Sequence, residues 1–130
     1  MSTISKDQLS YIYKAIEESL KSPLRCKHGC VIVKDKRIVA FGYNKYRGYN
    51  RHGTSHVNHR RSIHAEEDAI NSCRKRDLKD AELYVVRFNI NSNETSNSKP
   101  CHNCKKIINF CIRKYGLKCA YYSADIKYVY

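Results

Sequence analysis

The apolar positions divide the chain into stretches of two periods. Leu9, Ile12, Tyr13, Ile16 and Leu20 recur at helical spacing, which predicts an amphipathic helix over 5–21. Ser5 and Gln8 stand three apart at its start, in capping-box order. Pro23 closes its end, because the residue before a proline is steered away from α. The period then changes. Cys30-Val31-Ile32-Val33 is an unbroken apolar run, the mark of a strand covered on both faces. Lys34-Asp35-Lys36 makes a polar turn and 37–44 a return strand, which together predict a hairpin. Over 45–62 periodicity is lost, and a long polar loop rich in Arg, Tyr, Gly and His is expected. Helical spacing returns over 64–76, with Ala65, Ala69, Ile70 and Cys73 on the apolar stripe. Residues 83–88 read as a third strand, and the Asn- and Ser-rich 89–99 as a flexible connection. A helix over 101–115 should stop at Gly116, a residue suited to the left-handed position beyond a helix end. A fourth strand is expected over 117–122 and a short fifth over 126–130, antiparallel to it. This order predicts an α/β domain, a mixed sheet with helices packed on its faces. No repeat or linker interrupts it, so 1–130 reads as one domain.

Composition narrows the class. The 130 residues allow one substantial core, and a hydrophobic content of 42% excludes disorder throughout. No window approaches the roughly 20 apolar residues of a membrane span, and the first ten residues lack an apolar signal core. The expected location is the cytoplasm or the nucleus, without a membrane partner. Of seven cysteines only Cys101 and Cys104 form a close pair; in a reducing compartment the others read as small core residues. The net charge of +13 is spread along the chain. It favours phosphate-bearing partners, nucleotide or nucleic acid, or else describes only a Lys-rich surface.

Chemistry concentrates at His64-Ala65-Glu66 and Pro100-Cys101-His102-Asn103-Cys104. Cys101 and Cys104, at i and i+3 of a helix start, place both sulfurs on one side. Pro100 suits the first turn, and the helix N-terminus favours the thiolate that binds zinc. His64 adds a nitrogen ligand from the other helix start. Two thiolates and one imidazole leave a tetrahedral position open, as in catalytic rather than structural zinc. Zinc brings the pKa of a water in that position to about 7. Glu66, two residues from His64, reaches such a water without being a ligand and is the expected general acid and base. Alone, the Cys pair would equally suit a structural or redox role; the two motifs, each opening a predicted helix, are far more specific together. His102 should point away from the metal.

In these motifs, and in Lys27-His28-Gly29-Cys30-Val31-Ile32-Val33-Lys34, Gly42-Tyr43-Asn44 and Ser62-Ile63-His64-Ala65-Glu66, the chain resembles the cytidine/deoxycytidylate deaminase family. The resemblance covers most of the chain. It implies a three-layer α/β/α fold with a five-stranded mixed sheet, and zinc-dependent hydrolytic removal of an amine from a base. It also implies that Asn44 contacts the sugar and that the Ala65 backbone faces the carbonyl edge of the base. By the same resemblance the Pro100 carbonyl accepts from the exocyclic amine. Family members are commonly homo-oligomeric, which makes a two-fold dimer the default. Some deoxycytidylate deaminases hold a second, structural zinc near such a His-rich loop. Here His52, His56 and His59, with Cys26 or His28, would be the ligands, but their spacing better fits a phosphate-facing or solvated loop.

Arg47, Arg51, Arg60 and Arg61 are candidates for phosphate recognition, since guanidinium binds phosphate bidentately. Tyr121 and Tyr122 end the fourth strand, where one could stack on the base or both pack in the core. Three functions follow. The Gly-Tyr-Asn and Ile-His-Ala-Glu segments resemble the branch of the family that acts on a free cytosine nucleotide or nucleoside, which implies a dCMP- or CMP-like substrate. Charge and tyrosine content favour a nucleic-acid deaminase acting on cytosine or on tRNA adenosine, although little chain follows the fourth strand for an RNA-contacting helix. A non-catalytic zinc module is the third, and Glu66 argues against it.

Overall fold

The computed structural model describes residues 5–47, 58–92, 94–96 and 101–123; the side chains of 58–61 and 96 fall outside that description. Helix α1 spans Lys6–Ser19 behind a capping box in which the Ser5 hydroxyl accepts from the Gln8 N–H at 3.1 Å and the Gln8 side chain accepts from the Ser5 N–H at 3.2 Å. Strands β1 (Lys27–Lys34) and β2 (Arg37–Tyr43) form the expected hairpin. Asp35 and Lys36 both take positive φ, 50° and 65°, as a two-residue turn matched to strand twist requires.

The expected loop over 45–62 is corrected at both ends. Lys45–Arg47 and Asn58–Ile63 pair as strands β3 and β4, with Lys45 opposite Ile63 and Tyr46 opposite Ser62. Asn44 and His64 both line one cavity, so the chain leaving one and returning to the other runs side by side. The pairing is through backbone groups, and polar side chains gave no alternation to announce it. Residues 48–57, with His52, His56 and Arg51, lie outside the described residues.

Helix α2 spans Ala65–Ser72, ending before the expected Arg76, and a 3-10 turn follows at Lys75–Leu78. In a continued helix of 100° per residue, Leu78 would face away from Ala69. The extended Cys73 breaks the helix, and Ala69, Cys73 and Leu78 all enter the core. Strand β5 is Glu82–Asn89, and the expected connection after it contains a turn and a further strand. The Asn91 N–H donates to the Asn89 side-chain oxygen at 3.0 Å, an Asx turn that folds the chain back. Strand β6 (Glu94–Ser96) then pairs antiparallel with β5. Helix α3 spans His102–Tyr115 and ends on left-handed Gly116 at φ 79°. Strand β7 (Cys119–Tyr122) lies parallel to β5, α3 supplying the crossover that parallel pairing needs. The expected strand over 126–130 lies outside the described residues.

The result is the expected three-layer α/β/α fold on a five-stranded mixed sheet. Its order is β2-β1-β5, with β6 and β7 sharing the far side of β5 end to end. The fifth strand is β6. Alternation in β1 feeds two cores: Val31 and Val33 meet Tyr11, Ile12, Ala15 and Ile16 of α1, while Cys30 and Ile32 meet α2 and α3 through Ala65, Ala69, Ile108 and Cys111. Two glycines set how closely the helices lie. A Cβ on Gly29 would run into the Ala15 carbonyl of α1, and one on Gly42 would lie 2.5 Å from the Ala69 nitrogen of α2. Among the described residues no helix is long and apolar enough to cross a membrane.

Candidate active site

The two motifs meet. His64 is the N-cap residue of α2, in extended conformation, and its side chain makes no capping hydrogen bond, which leaves the imidazole free to turn outward. Cys101 is the N-cap residue of α3, and its sulfur accepts the Cys104 N–H at 3.4 Å. The His64 Nδ1 lies 3.5 Å from the Cys101 Sγ and 3.3 Å from the Cys104 Sγ. A tetrahedral zinc with Zn–S of about 2.3 Å and Zn–N of about 2.0 Å separates sulfur and nitrogen by about 3.5 Å. Both nitrogen–sulfur distances and the donor set therefore fit zinc. All three ligand atoms lie within 4.8 Å of one another, forming the single such cluster among the described residues.

A cavity of about 160 Å³ opens beside the cluster, lined by His28, Asn44, Ser62, His64, Ala65, Glu66 and Cys101. Glu66 is buried on the first turn of α2. Burial, and then the nearby Glu66 carboxylate, push the Cys104 thiol far above its usual range; a zinc ion held by the three ligands would supply the positive charge that favours the thiolate.

Asn44 braces the wall as well as lining it. Its side-chain oxygen accepts the His28 N–H at 2.8 Å, and its amide donates to the Cys26 carbonyl at 2.6 Å, so the end of β2 is stitched to the start of β1. The His28 Nδ1 sits 3.4 Å from the same amide. Burial, and then the Arg87 charge, lower the pKa of His28, which keeps its imidazole neutral near pH 7. On α2, Asp68 accepts the Tyr43 N–H at 3.1 Å and pairs with Lys45 at 3.0 Å. It thereby ties the helix bearing Glu66 to the strand delivering Asn44. The roles of His28 in the wall, Ser62 and Asp68 escaped sequence reasoning. Asp68 carried a readable signal, a carboxylate in the first turn of a helix, but its partner is 25 residues away.

Other candidates are placed differently. Arg47 ends β3, its guanidinium 4.0 Å from the Glu67 carboxylate. Arg60 and Arg61 fall in β4, and His59 with them, but their side chains, like Arg51 and Pro100, lie outside the description. The second metal site considered at His52, His56 and His59 lies there too. Tyr122 is buried, and its hydroxyl donates to the Glu66 Oε2 at 3.3 Å; it stands behind Glu66, apart from the cavity-lining residues.

Fold and site together define an α/β/α metal-site domain with a carboxylate poised at the metal ligands. Residues 5–118 match the cytidine and deoxycytidylate deaminase zinc-binding region, and the chain belongs to that family. It is 36% identical over 95 residues to an uncharacterized deaminase in the luxG 3' region of Aliivibrio fischeri, covering 66% of this chain and 54% of that protein. It is 33% identical over 111 residues to ComE operon protein 2 of Bacillus subtilis (strain 168), covering 79% of this chain and 51% of that protein. The chain thus spans about half the length of these curated relatives. The dCMP deaminase of cyanophage S-TIM5 in its apo form shares the fold, with a TM-score of 0.59 and 24% identity, over 88% of this chain and 79% of that one.

Proposed function

We propose that the protein is a zinc-dependent hydrolytic deaminase that converts a cytosine nucleotide or nucleoside, preferably dCMP- or CMP-like, to its uracil form with release of ammonia. The observation that carries this reading is the meeting of His64, Cys101 and Cys104 with buried Glu66 at one cavity. His64, Cys101 and Cys104 would hold the zinc, which when bound makes a water acidic enough to attack near neutral pH.

The chain's own groups do the rest. Glu66 accepts the attacking water's proton, hands it to the ring nitrogen of the base, then carries the second proton to the leaving amine. Water is consumed and ammonia leaves, so atoms and charge balance. His28 and Asn44 form the polar wall where the sugar would rest.

Size and charge support a phosphate-bearing substrate. The cavity, about 160 Å³, is below the roughly 300–1,000 Å³ of pockets that enclose a drug-sized ligand; it suits a base, with sugar and phosphate outside. A second cleft of about 370 Å³ is lined by Arg25, Cys26, Lys27 and Arg87 among others. Its Lys27 is the neighbour of His28 in β1, and among the described residues none of its three cations pairs with a carboxylate.

The test is ammonia release from CMP, dCMP, cytidine, deoxycytidine, single-stranded DNA and tRNA, comparing wild type with Glu66→Ala. Turnover of the mononucleotides above the nucleosides, abolished in the variant, is expected. Turnover confined to the polymers would transfer the reading to a nucleic-acid deaminase. Wild type matching the variant on every substrate would leave a binding module.

A further inference from the structure

We infer that Tyr122 is the positioning residue for Glu66, holding one carboxylate oxygen from the core side so that the other faces the cavity. This rests on the reading of Glu66 as proton carrier and adds a residue to it. Tyr122 ends β7, opposite Val85 of β5 in the parallel register. Its ring packs in the core between the sheet and helices α2 and α3, with Cys30, Ala65, Val85 and Ile108 in the same cluster. Only its hydroxyl is polar, and it donates to the Glu66 Oε2 at 3.3 Å.

Glu66 needs such a tether. The terminal torsion of a glutamate is broad, so its own backbone does not decide where the oxygens point. Among the described residues no cation lies within 4.0 Å of it. The neighbouring Cys104 thiol loses its proton on ligating a metal and then has none to donate. The Tyr122 hydroxyl keeps its proton: burial, and then the Glu66 charge, push its phenol far above the usual value. It therefore remains a donor throughout the range in which a carboxylate can shuttle protons. The ring is fixed by packing, so the hydroxyl is a fixed point against which Glu66 is aimed. A catalytic group must be held to within about 0.5 Å by locked neighbours of this kind.

Tyr122→Phe removes the hydroxyl and keeps the ring. At 3.3 Å the contact is long for a hydroxyl on a carboxylate, so its loss stands at the low end for a bond to a charged group, about a tenfold effect on rate. The expected result is that fall in kcat, with KM within about twofold, full zinc content and an unchanged visible spectrum of the cobalt-substituted protein. Infrared spectroscopy gives a readout free of turnover. The Glu66 carboxylate band, assigned by its absence in Glu66→Gln, should shift in Tyr122→Phe. An unmoved band, an unchanged kcat, or a joint loss of kcat and zinc would each overturn the inference. A band that shifts in Tyr122→Phe, while the zinc-loaded wild type deaminates nothing, would instead retain the tether and sink the deaminase reading.

Discussion

Replacing Gly42 with alanine should unseat the catalytic helix from the sheet. The added Cβ would stand 2.5 Å from the Ala69 nitrogen and 2.9 Å from both the Ala65 oxygen and the Asp68 Cβ. All three belong to α2, and two are backbone atoms that no rotamer change can move. Ordinary contact begins at 3.4 Å, so α2 must retreat by about 0.9 Å. Glu66 rides on the first turn of that helix and His64 caps it. A retreat of that size would stretch the 3.3 Å Tyr122–Glu66 hydrogen bond beyond its useful range. It would also draw His64 from sulfurs now 3.3 and 3.5 Å away. Overpacking of this kind costs about 1–3 kcal/mol of stability, and a catalytic misplacement of about 1 Å costs roughly 10²-fold in rate. Urea unfolding, zinc content and single-substrate turnover measure the three effects. A variant with unchanged stability, full zinc and turnover within about twofold of wild type would refute the idea that this backbone contact seats the site.

Glu66→Gln should cut turnover about 10²–10⁴-fold while leaving zinc content intact, because the residue is no ligand; elemental analysis showing lost zinc would contradict that assignment. Chelation should abolish activity and lower Tm, both restored by zinc. At a free ion concentration of a hundred times Kd the stabilisation is about 2.7 kcal/mol, and a Tm indifferent to chelation would argue against a built site. Acid should weaken the fold through His28, whose pKa is lowered in the native state from its ordinary 6.5 by burial and then by Arg87. Below about pH 6.5 the unfolded chain binds more protons there than the native one, so stability falls as pH drops through that range. Urea unfolding at pH 7.5 and 5.5 should show a smaller loss for His28→Gln than for wild type; equal losses would mean another group dominates.

The sequence was most legible where a signal is local. Ser5 with Gln8, the run Cys30 to Val33, and Gly116 each announce their element within a few residues, and α1, the first hairpin and the end of α3 lie where those signals put them. The two metal-ligand motifs are local in the same sense. Their convergence was readable only because the resemblance supplied it, since nothing in a helix start says which other helix start it will meet. What escaped is pairing between polar stretches. β3, β4 and β6 expose backbone to backbone without an apolar face, so periodicity has nothing to detect. The remaining misses are side chains whose partners lie far along the chain. Asn44 was legible as a strand-end residue beside a cavity, but its second duty, bridging Cys26 and His28, is a contact across 16 to 18 residues. Tyr122 and Glu66 are 56 residues apart.

These long contacts explain why the site takes its form. The sheet gives α2 a seat without side chain at Gly42, and Asp68 fastens that seat by accepting the Tyr43 N–H. The second helix start brings Cys101, whose sulfur accepts the Cys104 N–H at the positive end of α3. Cys104 faces the opposite field, buried and beside Glu66. Contacts drawn from distant parts of the chain hold α2 in register with these sulfurs: the Gly42 seat, the Asp68 tether and the Tyr122 hydroxyl. The placing of His64 and Glu66 is therefore set by Gly42, Asp68 and Tyr122, through contacts that involve none of the metal ligands.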